Sequence, residues 1–393
     1  METRRKFIEK IIKGTCALTL ASRIDFSGAK HFNYFGKDAY ASTPASHEAL
    51  YYTKMKNTSV VECSLCPWMC RVPDGSRGLC KVRENRAGTY YTLNYGKPCT
   101  IHTDPIEKKP LYHYLPGTNA FSLATAGCNM GCEFCQNWRI SQFGPEEVQS
   151  IDMPPKNIIT AAKKSGAPTI AYTYSEPVIF YEYMRDIAQL ARQENIGNVM
   201  ISNGFIQKEP MKILCKDLTA VKIDFKGFTN TFYRKVCHGE LEPVKDTLLL
   251  LKEIGIWFEI VVLIVPTLND SSAEITEMCR WIYKELGPDV PVHFSRYYPT
   301  YKIVNIPPTP IRTLERARKI AMDSGMHFAY TGNLPGLDGE NTFCPNCKKA
   351  IIKRVGYFIE SVDMKDGHCA FCGQAIPGVW SQKNALSWYT KGM

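Results

Sequence analysis

Cys128, Cys132 and Cys135 fall within eight residues of the stretch AGCNMGCEFCQNW, with three and then two residues between them. Thiolates this close in sequence converge on a metal centre, whereas disulfide partners are usually far apart. A closed structural zinc site needs four ligands, and no nearby residue supplies the fourth. The nearest upstream histidine, His113, precedes the strand expected at 120–126. A cubane iron–sulfur cluster bound through three of its irons needs only three cysteines, because its fourth iron is left to take a small chelating ligand. Gly127 and Gly131 let the backbone wrap closely and offer N–H groups to sulfur.

Two further groups have metal-ligand spacing. Cys344, Cys347, Cys369 and Cys372 form CPNC and CAFC pairs separated by 21 residues, the pattern of a zinc ribbon. Cys63, Cys66, Cys70 and Cys80, in CSLCPWMCRVPDGSRGLC, have gaps of two, three and nine residues, which suit zinc or an iron–sulfur cluster equally. Disulfides are the alternative for these outer groups if the chain is exported. Cys16, Cys99, Cys215, Cys237 and Cys279 are scattered.

Elements to position these groups are legible downstream of Pro116-Gly117. Strand-like runs at 120–126, 169–174, 198–202, 220–225, 257–265, 292–296 and 327–330 alternate with helix-length segments at 156–165, 178–193, 208–216, 242–253, 271–286 and 309–323. Ser271 ahead of Glu274 is a helix-capping pattern. Near-continuous apolar strands alternating with helices predict a parallel sheet covered on both faces. The fold class expected is α/β, a partial (β/α)6 TIM-like barrel, flanked by a small Cys-rich N-terminal module and a C-terminal zinc-ribbon-like module. The divisions drawn are 1–60 (signal-like N-terminus and linker), 61–115 (Cys-rich module), 116–335 (barrel) and 336–393 (ribbon and tail).

The chain has 393 residues, 45% hydrophobic and 22% charged, with a net charge of +10, enough to bury a substantial core in two or three domains. No apolar run reaches the roughly 18 residues of a membrane span, and the apolar stretch around 255–265 contains Glu259. The N-terminus resembles a twin-arginine export signal, TRRKFIEK then GTCALTLAS, with an A-x-A site at Ala39 to Ala41. A basic helix is the alternative there. A cytoplasmic location is expected, with export and cleavage after Ala41 as the alternative.

CxxxCxxC on the loop after the first strand of a β/α barrel resembles the signature of the radical S-adenosylmethionine (SAM) enzymes. The resemblance implies a 4Fe-4S cluster at Cys128, Cys132 and Cys135 whose open iron takes the amine and carboxylate of SAM. One electron then breaks the C5′–S bond, and the 5′-deoxyadenosyl radical abstracts hydrogen. Phe134 matches the family's aromatic position, and Glu176 in YTYSEP stands where its GGEP loop places a carboxylate near the SAM ammonium. Tyr174 and Ser175 replace the two glycines. Asp224 and Lys226 in KIDFKG resemble a D-x-K pair that holds SAM in activating enzymes, and Pro266 and Asn269 in VPTLND resemble the family's turn.

The remaining rim groups are read from strand ends, the active face of β/α barrels. Ser202 and Asn203 offer hydrogen bonds to a ribose or carboxylate. Arg296 is positioned to clamp a carboxylate. His293 is either a rim ligand or a satisfied core histidine. No residue is assigned a catalytic proton or hydrogen transfer.

CxLCPxxC with a later GxC at 63–80, CNMGCEFCQNW, YTYSEP, HFSRYYP and GNLPG with ENTFCPNC at 332–347 resemble radical SAM enzymes of the AmmeMemoRadiSam system, relatives of the pyruvate formate-lyase activating enzymes. This likeness spans about residues 60–375 and implies a barrel of six β/α units. It implies a flavodoxin- or ferredoxin-like electron donor and leaves a partner protein as a candidate substrate. Zinc at the last cysteine group and an undetermined metal or second cluster at the first complete the expected cofactors. Two other classes compete: a noncatalytic metal-bearing module touching nucleic acid through Lys348, Lys349, Lys353 and Arg354, and an exported iron–sulfur electron carrier. Nucleic acid is not the expected partner.

Overall fold

The structure, a computed structural model, describes residues 47–334 and 336–391. The twin-arginine-like pattern, Cys16 and the A-x-A site lie outside them. Eight strands make the central sheet: β1 (Thr100–Pro105), β2 (Asn119–Ala124), β3 (Thr169–Tyr172), β4 (Gly197–Ser202), β5 (Ala220–Asp224), β6 (Phe258–Ile264), β7 (Val292–Arg296) and β8 (Ala329–Gly332). They lie in chain order across the sheet, with β1 and β8 at its edges. β2 to β8 are mutually parallel, and β1 runs antiparallel to β2.

Parallel neighbours require crossovers, and six helices provide them: α1 (Pro155–Ser165), α2 (Tyr181–Gln193), α3 (Lys208–Leu214), α4 (Leu241–Ile254), α5 (Ser272–Trp281) and α6 (Ile311–Asp323). Local chemistry fixes their ends. Pro155 opens α1, and Gly166 and Gly255 close α1 and α4 in the left-handed region at φ 71° and 80°. Ser271 accepts from the Glu274 N–H as its spacing predicts, but the Glu274 carboxylate turns away to the Phe228 N–H at 2.8 Å. The capping box is therefore half made, and its other half ties the loop after β5 to α5.

The strands are nearly all buried, as expected of a sheet covered on both faces; every residue of β3 and β4 is buried. Two corrections to the expected organisation follow. β1 belongs to this sheet although its residues were assigned to the Cys-rich segment, and the parallel strands number seven, one more than six β/α units supply. The two edges are not hydrogen-bonded to each other.

Before β1 the chain forms two small antiparallel sheets, Tyr52–Lys54/Val61–Cys63/Arg71–Val72 and His47–Glu48/Arg83–Arg86/Thr89–Thr92. A buried ion pair clamps them to α2: Arg83 Nη2 donates to Glu182 Oε2 at 2.5 Å, and Glu182 Oε1 accepts from the Leu50 N–H. After β8, Thr342–Phe343, Ala350–Val355 and Phe358–Val362 make an antiparallel sheet, with a second hairpin at Met364–Lys365 and His368–Cys369. A final helix, α7 (Gln382–Lys391), packs back near β4, where Tyr389 accepts from Asn198. Among the described residues no helix is long and apolar enough to cross a membrane.

Candidate active site

At the C-terminal ends of the parallel strands a cavity of about 500 Å³ opens, and Cys128, Cys132 and Cys135 line it together. They sit on the loop between β2 and the short helix Trp138–Ser141. Gly127, with φ +97°, is required there: a Cβ would stand 2.6 Å from Val82 Cγ1 and 2.9 Å from the Cys80 carbonyl oxygen. Burial pushes Cys128 well above the ordinary thiol range and Cys135 up to about 11. Thiols this reluctant to ionise become stable ligands only when a cation takes their charge.

Opposite the cysteines the turn after β3 carries Glu176, which is buried. Its Oε1 accepts from Ser202 Oγ at 2.7 Å and from the Val178 N–H, and its Oε2 accepts from the Asn203 N–H at 2.8 Å. Burial lifts its carboxyl to about 7, with those hydrogen bonds opposing. The expected glycine pair is absent, yet the loop takes the path glycine favours, because Tyr174 adopts φ +65°. Its hydroxyl donates to Asp104, its ring lies 4.3 Å below Lys109 Nζ, and Asn137 donates to its carbonyl oxygen. These contacts offset a backbone strain of about 1 kcal/mol.

The cavity's charged wall comes from β5. Lys222, Asp224 and Lys226 alternate onto one face, and Asp224 lies between the two ammonium groups, touching Lys222 Nζ and 3.4 Å from Lys226 Nζ. Burial opposes its charge, but the two lysines outweigh burial and hold Asp224 below its usual range. Lys222 was missed in the sequence, although the same two-residue alternation that marks Asp224 and Lys226 reaches it one step earlier. Lys109 was missed too. It lines the cavity, pairs with Asp104 Oδ2 at 2.8 Å, and comes from the β1 side, outside the β/α pattern.

Other expected groups do different work. Phe134 is buried beside the cavity and stacks on Phe232 at 6.0 Å. Ser202 does not line the cavity; its hydroxyl is spent on Glu176 and the Gly204 N–H. Asn203 reaches the cavity, but its amide holds Asn129 at 2.8 Å and Cys128 Sγ at 3.9 Å, and its oxygen accepts from the Phe205 N–H. Both are positioning groups, because satisfied side chains have little left for a ribose or carboxylate. Asn269 likewise pins the β6 turn, donating to the Lys226 and Leu263 carbonyls.

Arg296 is corrected outright, and of the two readings of His293 the structure shows the satisfied core histidine in place of the rim ligand. Neither residue lines the cavity. His293 stands one pleat repeat below Ser295, buried, with Nε2 2.7 Å from Glu259 Oε2 and its ring stacked on Tyr330. Glu259 also accepts from the Tyr112 and His113 N–H groups, so a polar layer closes the floor of the sheet. Arg296 falls on the opposite strand face, where Nε donates to the Thr309 carbonyl and the guanidinium covers Tyr298.

Among the described residues, the last four cysteines alone bring their sulfurs all within 4.8 Å of one another. Cys344 and Cys372 are 3.6 Å apart, and Cys347 and Cys369 are 3.7 Å apart. The Gln374 N–H holds the exposed Cys372 thiol down to about 6. Arg354, which the competing nucleic-acid reading puts on a basic surface, is buried instead, stacked on Tyr112 at 4.1 Å and donating to the Tyr112 carbonyl and Thr342. A guanidinium so engaged is not available to phosphate.

Comparison with known proteins agrees with this geometry. The family model described as "Radical SAM superfamily" matches residues 122–282, from β2 to just beyond α5. The uncharacterized protein MJ0808 of Methanocaldococcus jannaschii is 46% identical over 331 residues, covering 84% of this chain and 98% of that protein. Solved structures with similarity include a radical SAM methyltransferase from Sphaerobacter thermophilus, at 15% identity and a TM-score of 0.45, covering 56% of this chain and 67% of that one. A domain of a pyruvate-formate lyase-activating enzyme from Bacteroides vulgatus aligns at 15% identity and a TM-score of 0.38, covering 42% of this chain and 98% of that one. Three cavity-lining thiols on the loop after the first parallel strand, inside the matched span, identify the chain as a radical SAM enzyme, a member of the radical SAM superfamily.

Proposed function

We propose that this enzyme reductively cleaves SAM at a 4Fe-4S cluster held by Cys128, Cys132 and Cys135 and uses the product to take a hydrogen atom from its substrate. The observation that carries this reading is the lining of the cavity: among the described residues it presents three cysteines, a buried carboxylate and a Lys-Asp-Lys wall around one space. The donor set fits the group, since three thiols suffice for a cubane with one open iron. When bound, that cluster supplies one electron to the sulfonium of SAM, breaking its C5′–S bond.

The chain's own residues bind and orient. Glu176 Oε2 accepts one hydrogen bond inside the protein, leaving a lone pair for the SAM ammonium. Lys222 and Lys226 fix Asp224, which takes a donor on SAM, and Phe134 bounds the site on its apolar side. Asn203 and Ser202 hold the Cys128 loop and Glu176 in place. Tyr357, from the C-terminal segment, reaches the cavity rim beside Lys108, so the substrate approaches between that segment and the cluster loop.

The finer assignments follow the sequence resemblance. The sheet is taken as a partial barrel, the enzyme as activating-enzyme-like with a partner protein as candidate substrate, and the electron donor as flavodoxin- or ferredoxin-like. Zinc suits the last four cysteines, because a tetrahedral ion with ligands at about 2.3 Å sets sulfurs about 3.8 Å apart.

The test is anaerobic incubation of the reconstituted protein with SAM and reductant. 5′-Deoxyadenosine forms with the wild type and not with Cys132→Ala. Equal production by that variant removes the assignment.

A further inference from the structure

One of the three cysteine groups remains outside both sites just described. Cys63, Cys66, Cys70 and Cys80 surround a largely enclosed cavity of about 20 Å³ that Trp68, Arg83 and Tyr90 also line. A hairpin brings the first and third together, with the Cys63 N–H donating to the Cys70 carbonyl at 2.9 Å.

Three observations decide what this cavity takes. First, its sulfurs are not all within 4.8 Å of one another, whereas those of the C-terminal group are. Four thiolates held about 2.3 Å from one ion sit about 3.8 Å from one another, so the wider spacing argues against zinc. A cubane places four irons away from its centre and spreads its thiolates wider. Second, Arg83 is buried and its Nε has no hydrogen-bond partner. Its Nη2 is already paired with Glu182, so the cavity wall offers one unpartnered N–H donor, which a thiolate or sulfide would satisfy. Third, the site abuts the active-site loop. Trp68 Nε1 donates to the Asn129 carbonyl at 2.7 Å, and the Cys80 carbonyl lies against Gly127, which precedes Cys128.

We infer that Cys63, Cys66, Cys70 and Cys80 hold an iron–sulfur cluster that relays electrons to the active-site cluster. One electron passes from a reduced low-potential protein donor to this cluster, and the same electron moves on to the cluster at Cys128, Cys132 and Cys135. The donor is oxidised by one electron and the relay returns to its starting state. The inference rests on the active-site reading above.

The test uses two full-length variants, reconstituted anaerobically with iron and sulfide. In the Cys128→Ala, Cys132→Ala, Cys135→Ala chain, about four irons and four sulfides remain, and dithionite produces a paramagnetic signal. That chain carrying zinc, or no iron, at this site overturns the inference. In the Cys66→Ala, Cys70→Ala chain, about four irons also remain, now at the active site; their absence removes the acceptor and counts against the active-site reading instead. For the relay itself, the reduced wild type shows magnetic splitting that the two variants' spectra do not add up to. A wild-type spectrum equal to their sum overturns it.

Discussion

The central and C-terminal cysteine groups use the same ligand to opposite ends. At Cys344, Cys347, Cys369 and Cys372 four sulfurs close on one point from two hairpins, at tetrahedral spacing and away from the cavity. At Cys128, Cys132 and Cys135 three thiols face an open space shared with Glu176 and the β5 charges. A saturated ion can only hold the chain together, whereas an undersaturated one can bind and react. Coordination number and access, more than ligand type, separate scaffold from chemistry here.

The largest contrast comes from cutting one thiol in each group. Cys132→Ala is expected to lower 5′-deoxyadenosine formation to the no-enzyme background while the C-terminal metal stays bound. Cys347→Ala is expected to do the reverse: active-site iron is kept, the C-terminal ion is lost, and the melting temperature falls by roughly 5–10 °C. Metal analysis, product assay and calorimetry on the two variants check this. If Cys347→Ala abolishes cleavage of SAM at full iron loading, the division of labour fails.

Lys222→Met probes the charged wall. It leaves Asp224 with one cation in place of two, so SAM affinity is expected to drop about 10- to 100-fold with iron content unchanged. Equilibrium binding of SAM to the two proteins is the check, and unchanged affinity would detach Lys222 from the site.

A smaller effect is expected from the polar layer beneath the sheet. Burial, outweighing the attraction of Glu259, holds His113 down to about 4 from its usual 6.5, with Arg354 and His293 also facing it. The unfolded chain therefore binds a proton that the folded chain refuses. This stabilisation is complete above about pH 6.5 and is lost as the pH falls toward 4. Replacement His113→Gln should flatten the fall in melting temperature between pH 7 and 5 relative to wild type; parallel curves would contradict the assignment.

The smallest effect is expected at Cys237. It is buried against Cys132, whose thiol donates to its carbonyl at 3.7 Å, but it does not line the cavity. Cys237→Ser should keep active-site iron and SAM cleavage within about twofold of wild type. Loss of the cluster would make it a fourth ligand and erase the contrast with the C-terminal group.

Much of this arrangement was legible in the sequence because local rules govern it. Apolar runs and capping residues placed the strands and crossover helices within a few residues, and cysteine spacing separated three groups of cysteines. Groups brought together by tertiary packing were harder to read. Lys109 and Asp104 approach the cavity from an antiparallel edge strand, which a β/α repeat does not foretell. Ser202, Asn203 and Arg296 do stand at strand ends, but a strand end says nothing of what a side chain has already bonded. His293 shows the limit most clearly. A single pleat repeat separates it from Ser295 at the cavity, and that step exchanges solvent for Glu259. Tyr174 departs from the glycine pattern, and its left-handed backbone is maintained by side-chain contacts that spacing does not reveal.

Hyperfine spectroscopy on the reduced, reconstituted enzyme with SAM labelled at its amine nitrogen and carboxylate oxygen reads the open coordination position directly. The account predicts coupling of both labels to one iron of the cluster held by Cys128, Cys132 and Cys135. Absence of that coupling, with every iron of the cluster bound by protein sulfur, would contradict it.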